Sequence, residues 1–423
     1  MMAFTNWLQE AFATLPVTAP FYTERLWAFN KLTHATFIEG QKESYRNLRA
    51  TLALLTSQAY HFSLPVEPVL PVQVAGYGAT QAITLTFVDG IWRPSEAIHS
   101  GVQLHRFSAL PLFKQKELLT AYRADMGSSE DLFVLLNRML AQESYLLEIT
   151  GEDPKMLNLQ HIVTDSLCHV VPQLLVKVGG SSHVTIIENW HTAAPKVQPF
   201  VNAFTHILLE EAAHLSYHTL YTDAPSCYQV NSLYCHQKDH STFVHHTYSF
   251  GAAMLRMYIR AHINGSHAHA GLYGLSTLAA TENVTQQIEV IHSKPHSLSK
   301  QHYKSILGGQ SMGSFSGKIY LTPAAQQTNA YQTNNVLILS DAAHHYAKPQ
   351  LEIYADDVKC SHGATAGQLD EGQLFYLQTR GIAAPLAKRL LLEAFGREII
   401  DAVELAALQD YLYDQLIAKL VKL

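Results

Sequence analysis

The chain has 423 residues, 48% of them apolar and 15% charged, with a formal net charge of -6. That is enough apolar material for a large core spread over two or three folding units, and it excludes a disordered chain. Lys and Arg are nowhere clustered, which argues against a nucleic-acid partner, and no run of about 18 apolar residues offers a membrane span.

The N-terminal MMAFTNWLQEAFATLP has neither the basic region nor the apolar stretch of a signal peptide. Thr23–Lys31 and Glu43–Ala59 carry the apolar spacing of amphipathic helices. LTFVDGIWRP, Leu85–Pro94, reads as a hairpin turning at Asp89-Gly90. Helical pattern returns over Lys116–Arg123 and over Ser128–Leu140, where Ser128 and Asp131 fit a capping box.

From about Leu146 the period changes to two. Leu255, Met257, Ile259, Ala261 and Ile263 alternate with Arg256, Tyr258, Arg260 and His262, and Asn264-Gly265 turns the chain. Phe315, Gly317, Ile319 and Leu321 repeat the pattern, as do Leu351, Ile353 and Ala355. Short strands punctuated by Pro295, Gly308-Gly309, Pro323, Asn334-Asn335 and Pro349 specify a sandwich, a barrel or a β-solenoid. Periodicity does not choose among the three, and no clean repeat forces the solenoid. After Arg380-Gly381 the pattern is helical to the end. Pro385 suits a first turn, Leu386, Leu390, Leu391, Ala394 and Phe395 form one apolar face continued by Ile399, Val403 and Leu408, and Gly396 is a candidate for a bend.

Among short motifs, GQSMG places Ser311 in a G-x-S-x-G pattern, but a nucleophile elbow needs a helix after the serine, and FSGKIYLT is strand-like. A glycine-rich turn is the better reading. GSFSGK, Gly313–Lys318, lacks Walker A spacing, so any ATP hydrolysis belongs to a partner. The chain has 24 histidines. His267 and His269 sit on one face of a strand as in cupin metal sites, but no carboxylate ligand follows, and His245-His246 and His344-His345 point to opposite faces. These pairs read as solvated surface histidines. The four cysteines, Cys168, Cys227, Cys235 and Cys360, are too irregular for a disulfide framework and fit the cytoplasm. Cys360 and His362, separated by Ser361, fall on one side of an extended chain near Asp356. A thiolate and an imidazole so placed can ligate iron or zinc, yet a cluster needs about four ligands. Either a partner supplies the rest or the cysteine is buried and inert.

KPQLEIYADDVKCSHGATAGQLDEGQLFYLQTRGI, Lys348–Ile382, resembles the SufD family, subunits of the SUF (SufBCD) iron–sulfur cluster assembly complex. QTNNVLILSDAAHHYAKPQ before it and the earlier LTFVDGIWRP fit the same family, densely from Thr333 to Phe395. The resemblance implies a right-handed β-helix core over residues 144–372, flanked by a helical and mixed domain over 1–143 and a helical domain over 373–423. It implies a non-catalytic cytoplasmic scaffold that pairs with its paralogue SufB through the β-helices, or with itself when isolated, and docks the SufC ATPase. Cys360 and His362 match the cysteine and histidine at the subunit interface, where a transient iron–sulfur cluster or iron forms. Arg380, Gly381, Ile382, Leu390 and Phe395 fall in the ATPase-docking segment. SufB keeps a cysteine in FYC-x-QRGI where this chain has Leu377, which marks the SufD side. QKESYRNLRATL departs from the family's tryptophan-containing version. A cupin-like metalloenzyme built on the histidine-rich strands is the alternative from another class.

Overall fold

A computed structural model describes residues 2–13, 22–34, 61–62, 82–94, 101–126, 131–164, 168–193 and 198–423. The expected helix over Glu43–Ala59, the QKESYRNLRATL segment and Ser128 lie outside these residues.

The core is a β-solenoid of about 7 turns. Its strands pair in parallel, each with the strand one turn earlier and one turn later. One sheet stacks Ser144–Ile149, Gln173–Val178, Phe200–Leu209, the second half of His214–Gln237, Ala252–Ile263, Asn283–His292, Met312–Leu321 and His344–Ile353. The other stacks Ile83–Val88, Lys155–Val163, His183–Thr192, the first half of His214–Gln237, Thr242–Ser249, His269–Leu278, Leu298–Leu307, Thr328–Ile338 and Val358–Gly367. A cupin barrel is built on antiparallel ladders, so this topology removes that alternative. Antiparallel pairing occurs at the N-terminal end, where Ile83–Val88 meets Ile91–Arg93 through Asp89 (φ 50°) and Gly90 (φ 81°), the hairpin expected from Asp-Gly.

The expected strands at Leu255 and Phe315 are found as Ala252–Ile263 and Met312–Leu321. The alternation through Leu351 stops at Ile353, and Ala355 lies in the following turn. Ser311 sits in a buried turn between strands, and Gly309 (φ 64°) allows the close approach to Ala280, as the glycine-rich turn reading requires.

One corner of the solenoid repeats a left-handed residue two positions before the strands that begin at His183, His214, Thr242, His269 and Leu298 (Ser181, Ala212, His240, His267 and His296), and Gln327 takes the same place directly before Thr328. His267 is therefore a corner residue and not a strand partner of His269, because the strand begins only at His269. Its ring stacks between His240 and His296, with centroids 5.1 and 4.8 Å away.

His245 and His246 are both buried, contrary to the expectation of solvated surface residues. A solenoid strand has a covered face on each side: the lumen within and a helical layer outside. His245 points inward to the Thr219 hydroxyl at 3.1 Å, and His246 stacks outward on His218 and Tyr273. His344 is exposed, and His345 is half-buried against Asn334 Oδ1 at 3.0 Å.

Helices cover both sheets. Met2–Ala13, Tyr22–Thr33 and Leu132–Leu140 pack on Phe200, Val230 and Met254 of the first sheet. The Leu132 helix is wholly buried and held by polar clamps. Asp131 itself caps it, accepting from the Phe133 and Val134 amides, and also pairs with buried Arg256. Asn137 donates to the Pro172 and Asn202 carbonyls, and Asn202 donates back to Phe133 O. Removing Asp131 would strand the Arg256 charge, at a cost of about 3–5 kcal/mol.

The second sheet is covered by Ala384–Ile400 and Ala406–Leu420, through Leu392, Ile399, Ile400, Leu408, Leu412 and Leu416 against Ile187, Leu220, Tyr248, Leu275 and Ile306. The expected apolar face of the first of these helices is buried in its second half only: Leu386, Leu390 and Ala394 are exposed, Leu391 and Phe395 are half-buried, and Ile399 and Val403 turn inward with Ala387, Leu392 and Gly396. The helix is continuous through Gly396, where a Cβ would stand 2.7 Å from Leu416 Cδ2, so this glycine serves close helix packing and not a bend.

Burial lowers the pKa of His245 to about 3 and of His218 to about 4, against an ordinary 6.5. These rings fold neutral and protonate once unfolded, so their stabilisation is complete above about pH 6.5 and is lost as pH falls below it. Chemical-denaturation midpoints are expected to be flat from about pH 8 to 7 and to fall steadily from about pH 6.5 to 4.5; a midpoint unchanged down to pH 5 would contradict the buried, neutral placement.

Candidate functional site

Alternation places Cys360 and His362 on one side of the last strand, Val358–Gly367, and stacking shows which side. Cys360 lies in register over Ala330, and beneath it the column continues through Ser299, Ala270, Phe243 and Leu215. His362 lies over Gln332, with Gln301, Leu272, His245 and Tyr217 below. Every residue in both columns beneath the last strand is buried. Both side chains therefore belong to the inward-facing set of the solenoid.

What differs is the rung. Val358–Gly367 pairs with Thr328–Ile338 on one side, and among the described residues no further strand stacks on the other. Positions that are buried on the five rungs beneath are half-buried at Cys360 and exposed at His362. Asp356 lies in the turn before the strand, and Lys359 has the opposite parity, so neither joins the pair through the strand's geometry.

The family model described as "SUF system FeS cluster assembly, SufBD core domain" matches residues 161–395, the stretch that contains most of the rungs and the open end. The chain belongs to the SufBD family. It is 30% identical over 340 residues to an iron–sulfur cluster assembly SufBD family protein of Synechocystis sp., covering 77% of this chain and 75% of that one. It is 28% identical to the iron–sulfur cluster assembly protein SufD of Escherichia coli over 76% of this chain and 75% of the relative. Protein ABCI7, chloroplastic, of Arabidopsis thaliana is 28% identical over 76% of this chain and 70% of its own. The chain is a SufD-like member of this family.

The other expected site residues separate into two groups. Arg380 and Gly381 form the joint between the helices Glu371–Thr379 and Ala384–Ile400. Gly381 turns at φ 83°, and the amides of Arg380, Gly381 and Ile382 close back on Leu377 and Gln378 carbonyls. The Arg380 guanidinium lies over the Tyr376 ring. The Glu371–Thr379 helix buries none of its residues, leaving Phe375 67% and Tyr376 57% exposed, and Leu390 is exposed on the next helix. Phe395 is different: its ring lies 4.3 Å from Lys304 Nζ and its carbonyl accepts from that ammonium, so it fastens the helix to the sheet. The exposed aromatic pair was not singled out from the sequence, although two adjacent aromatics on a short helix without a periodic apolar face was an available signal.

Chemically, the pair offers one sulfur and one imidazole. Among the described residues no group of three or more His, Cys, Asp or Glu side chains could hold a metal ion, and Cys360 and His362 bring only two donor side chains together. Burial raises the Cys360 thiol above its ordinary pKa, with a backbone hydrogen bond at Ala330 opposing it. The thiol keeps its proton at neutral pH.

No disulfide links the four cysteines, and Cys168, Cys227 and Cys235 are buried. Native alkylation is expected to give one adduct per chain, at Cys360, at a rate that climbs as pH rises past about 8.5. Peptide mapping checks this; equal labelling of a second cysteine in the folded chain would overturn it.

Proposed function

We propose that this chain is the SufD-like scaffold subunit of a SufBCD assembly, whose open last rung pairs with the SufB paralogue and forms a nascent cluster between them. The observation that carries the reading is the exposure, at the end of the solenoid alone, of an inward-facing Cys-x-His pair with too few ligands of its own. Iron and sulfide are the cargo. Cys360 and His362 supply two ligands, and the paralogue supplies the others across the shared edge. The strand edges of His344–Ile353 and Val358–Gly367 suit such pairing because parallel edges offer backbone donors and acceptors to a further chain. Without the paralogue, a second copy occupies the same edge. The cytoplasm, as a reducing compartment, keeps the Cys360 thiol available.

The C-terminal helices carry the second contact. Phe375, Tyr376 and Leu390 present apolar surface around the Arg380-Gly381 joint, while Leu392, Ile399 and Ile400 hold the unit to the solenoid. A SufC ATPase docked there acts on the distant rung only if nucleotide binding favours one arrangement of the subunits over another.

Genetic complementation tests the site. Cells that depend on this chain are expected to lose about tenfold or more of their iron–sulfur enzyme maturation with Cys360→Ala or His362→Ala, while the purified complex keeps its composition. Normal maturation with both variants would reject the site. For the docking face, Leu390→Asp combined with Phe375→Ser is expected to weaken co-purification of the ATPase about tenfold or more and to spare the paralogue. Retention of the ATPase by that folded variant would move the docking site elsewhere. Phe395→Ala is expected instead to lower the thermal midpoint, because that ring is already engaged by Lys304.

A further inference from the structure

We infer that Gln332 is a positioning residue for His362: its buried amide oxygen, unbonded in this structure, accepts a ring N–H once the imidazole turns toward the lumen, which fixes the tautomer that leaves the other ring nitrogen for iron. This deepens the reading of His362 as an iron-site residue and rests on it.

Gln332 lies directly between Gln301 and His362 in one inward-facing column. It is 2% exposed. Its Nε2 donates to Gln301 Oε1 at 2.9 Å, so the amide nitrogen points back along the solenoid axis. The amide oxygen is left out of that contact and stays free for a donor on the next rung, that of His362. Among the described residues that oxygen is buried with no hydrogen-bond donor, His362 included. A buried acceptor left unmet costs about 1–3 kcal/mol, and here the next side chain in the column is an imidazole one strand spacing, about 4.8 Å, away.

The amide's place is set by its neighbour across the lumen. A Cβ at Gly317 would stand 2.2 Å from Gln332 Nε2 and 2.7 Å from its Cδ, so the amide occupies space that only glycine leaves there. A neutral imidazole has one N–H and one lone pair. Whichever nitrogen donates to a fixed acceptor, the other becomes the ligand, and such outer partners orient metal-binding histidines generally. The Gln301–Gln332 ladder thus ends in a defined acceptor beneath the site.

The test uses the full chain without iron, labelled with 15N-histidine, at about pH 8, where an ordinary imidazole is neutral. The His362 signals are assigned by their loss in His362→Gln, and the ratio of its two tautomers is read from the nitrogen shifts. In the native chain one tautomer is expected to dominate. Gln332→Met, which keeps the shape and removes the acceptor, is expected to shift the ratio about fivefold, and Gln332→Glu, which keeps an acceptor, to preserve it. An unchanged ratio in Gln332→Met overturns the inference. If that variant does not fold, a ratio altered in Gln332→Glu overturns it equally. The measurement needs no iron, so its failure is distinct from failure of the iron-site reading, which normal complementation by His362→Ala would show.

Discussion

Parallel in-register stacking is the interaction on which the rest of this structure depends. Each strand is paired residue by residue with the turn before it and the turn after it, and across Thr242–Gly367 both sheets keep their register without slippage. Because register is kept, every side-chain position becomes a column running along the solenoid axis. A column is either lumen or outer face for its whole length, and a one-residue slip would exchange the two. The inward columns hold mainly Leu, Ile, Val and Phe in the early turns, with Tyr217, Thr219 and His245 among them, and admit Gln301, Gln332 and Asn334 in the later ones. Polar side chains are tolerated there because they can bond along the column, as Gln332 does to Gln301.

The helical layers follow from the same constraint. A sheet whose inner face is sealed still exposes its outer face, and both outer faces here carry large apolar groups: Phe200, Val230 and Met254 on one, Leu220, Tyr248 and Ile306 on the other. Charged clamps fix where the covering helices sit. Asp131–Arg256 sets one layer, and Lys304–Glu398 with Lys419–Glu282 sets the other. Of these, Asp131–Arg256 is fully buried, and burying two charges gains little net stability while penalising any helix position that separates them. The clamps therefore act mainly on placement.

Much of this was legible in the sequence, and the exceptions share a cause. Alternation marked Ala252–Ile263 and Met312–Leu321, Asp89-Gly90 marked the hairpin, and period two placed Cys360 and His362 on one side. Alternation cannot report what lies against each side. His245 and His246 alternate like surface residues but are buried on both faces, and the face through Leu386 and Leu390 is apolar yet exposed. The inward turn of Ala387, Leu392 and Gly396 goes with the close approach of Gly396 to Leu416, a contact no local pattern encodes. Likewise, the role of Gln332 follows from stacking partners a full turn away in sequence, joined through corners of unequal length. Local spacing did not single out the solenoid from a sandwich or barrel for the same reason; the family resemblance of the Lys348–Ile382 segment did.

The open end explains how one column can be inert along its length and reactive at its tip. Cys360 shares its column with Ala330 and Ser299, and its strand differs from theirs in that no rung among the described residues lies above it. An uncovered parallel edge invites other chains, and proteins usually defend such edges with charge, proline or a covering element. This edge is lightly defended. Val358–Gly367 carries one charged residue, Lys359, among small side chains, and Pro349 interrupts the neighbouring edge strand. The turns beneath are closed by paired strands and helical layers, so the last rung can stay open without loosening the core. An edge that is stable but scarcely protected, with a thiol and an imidazole of the inward-facing set at its uncovered rung, suits coverage by a further strand.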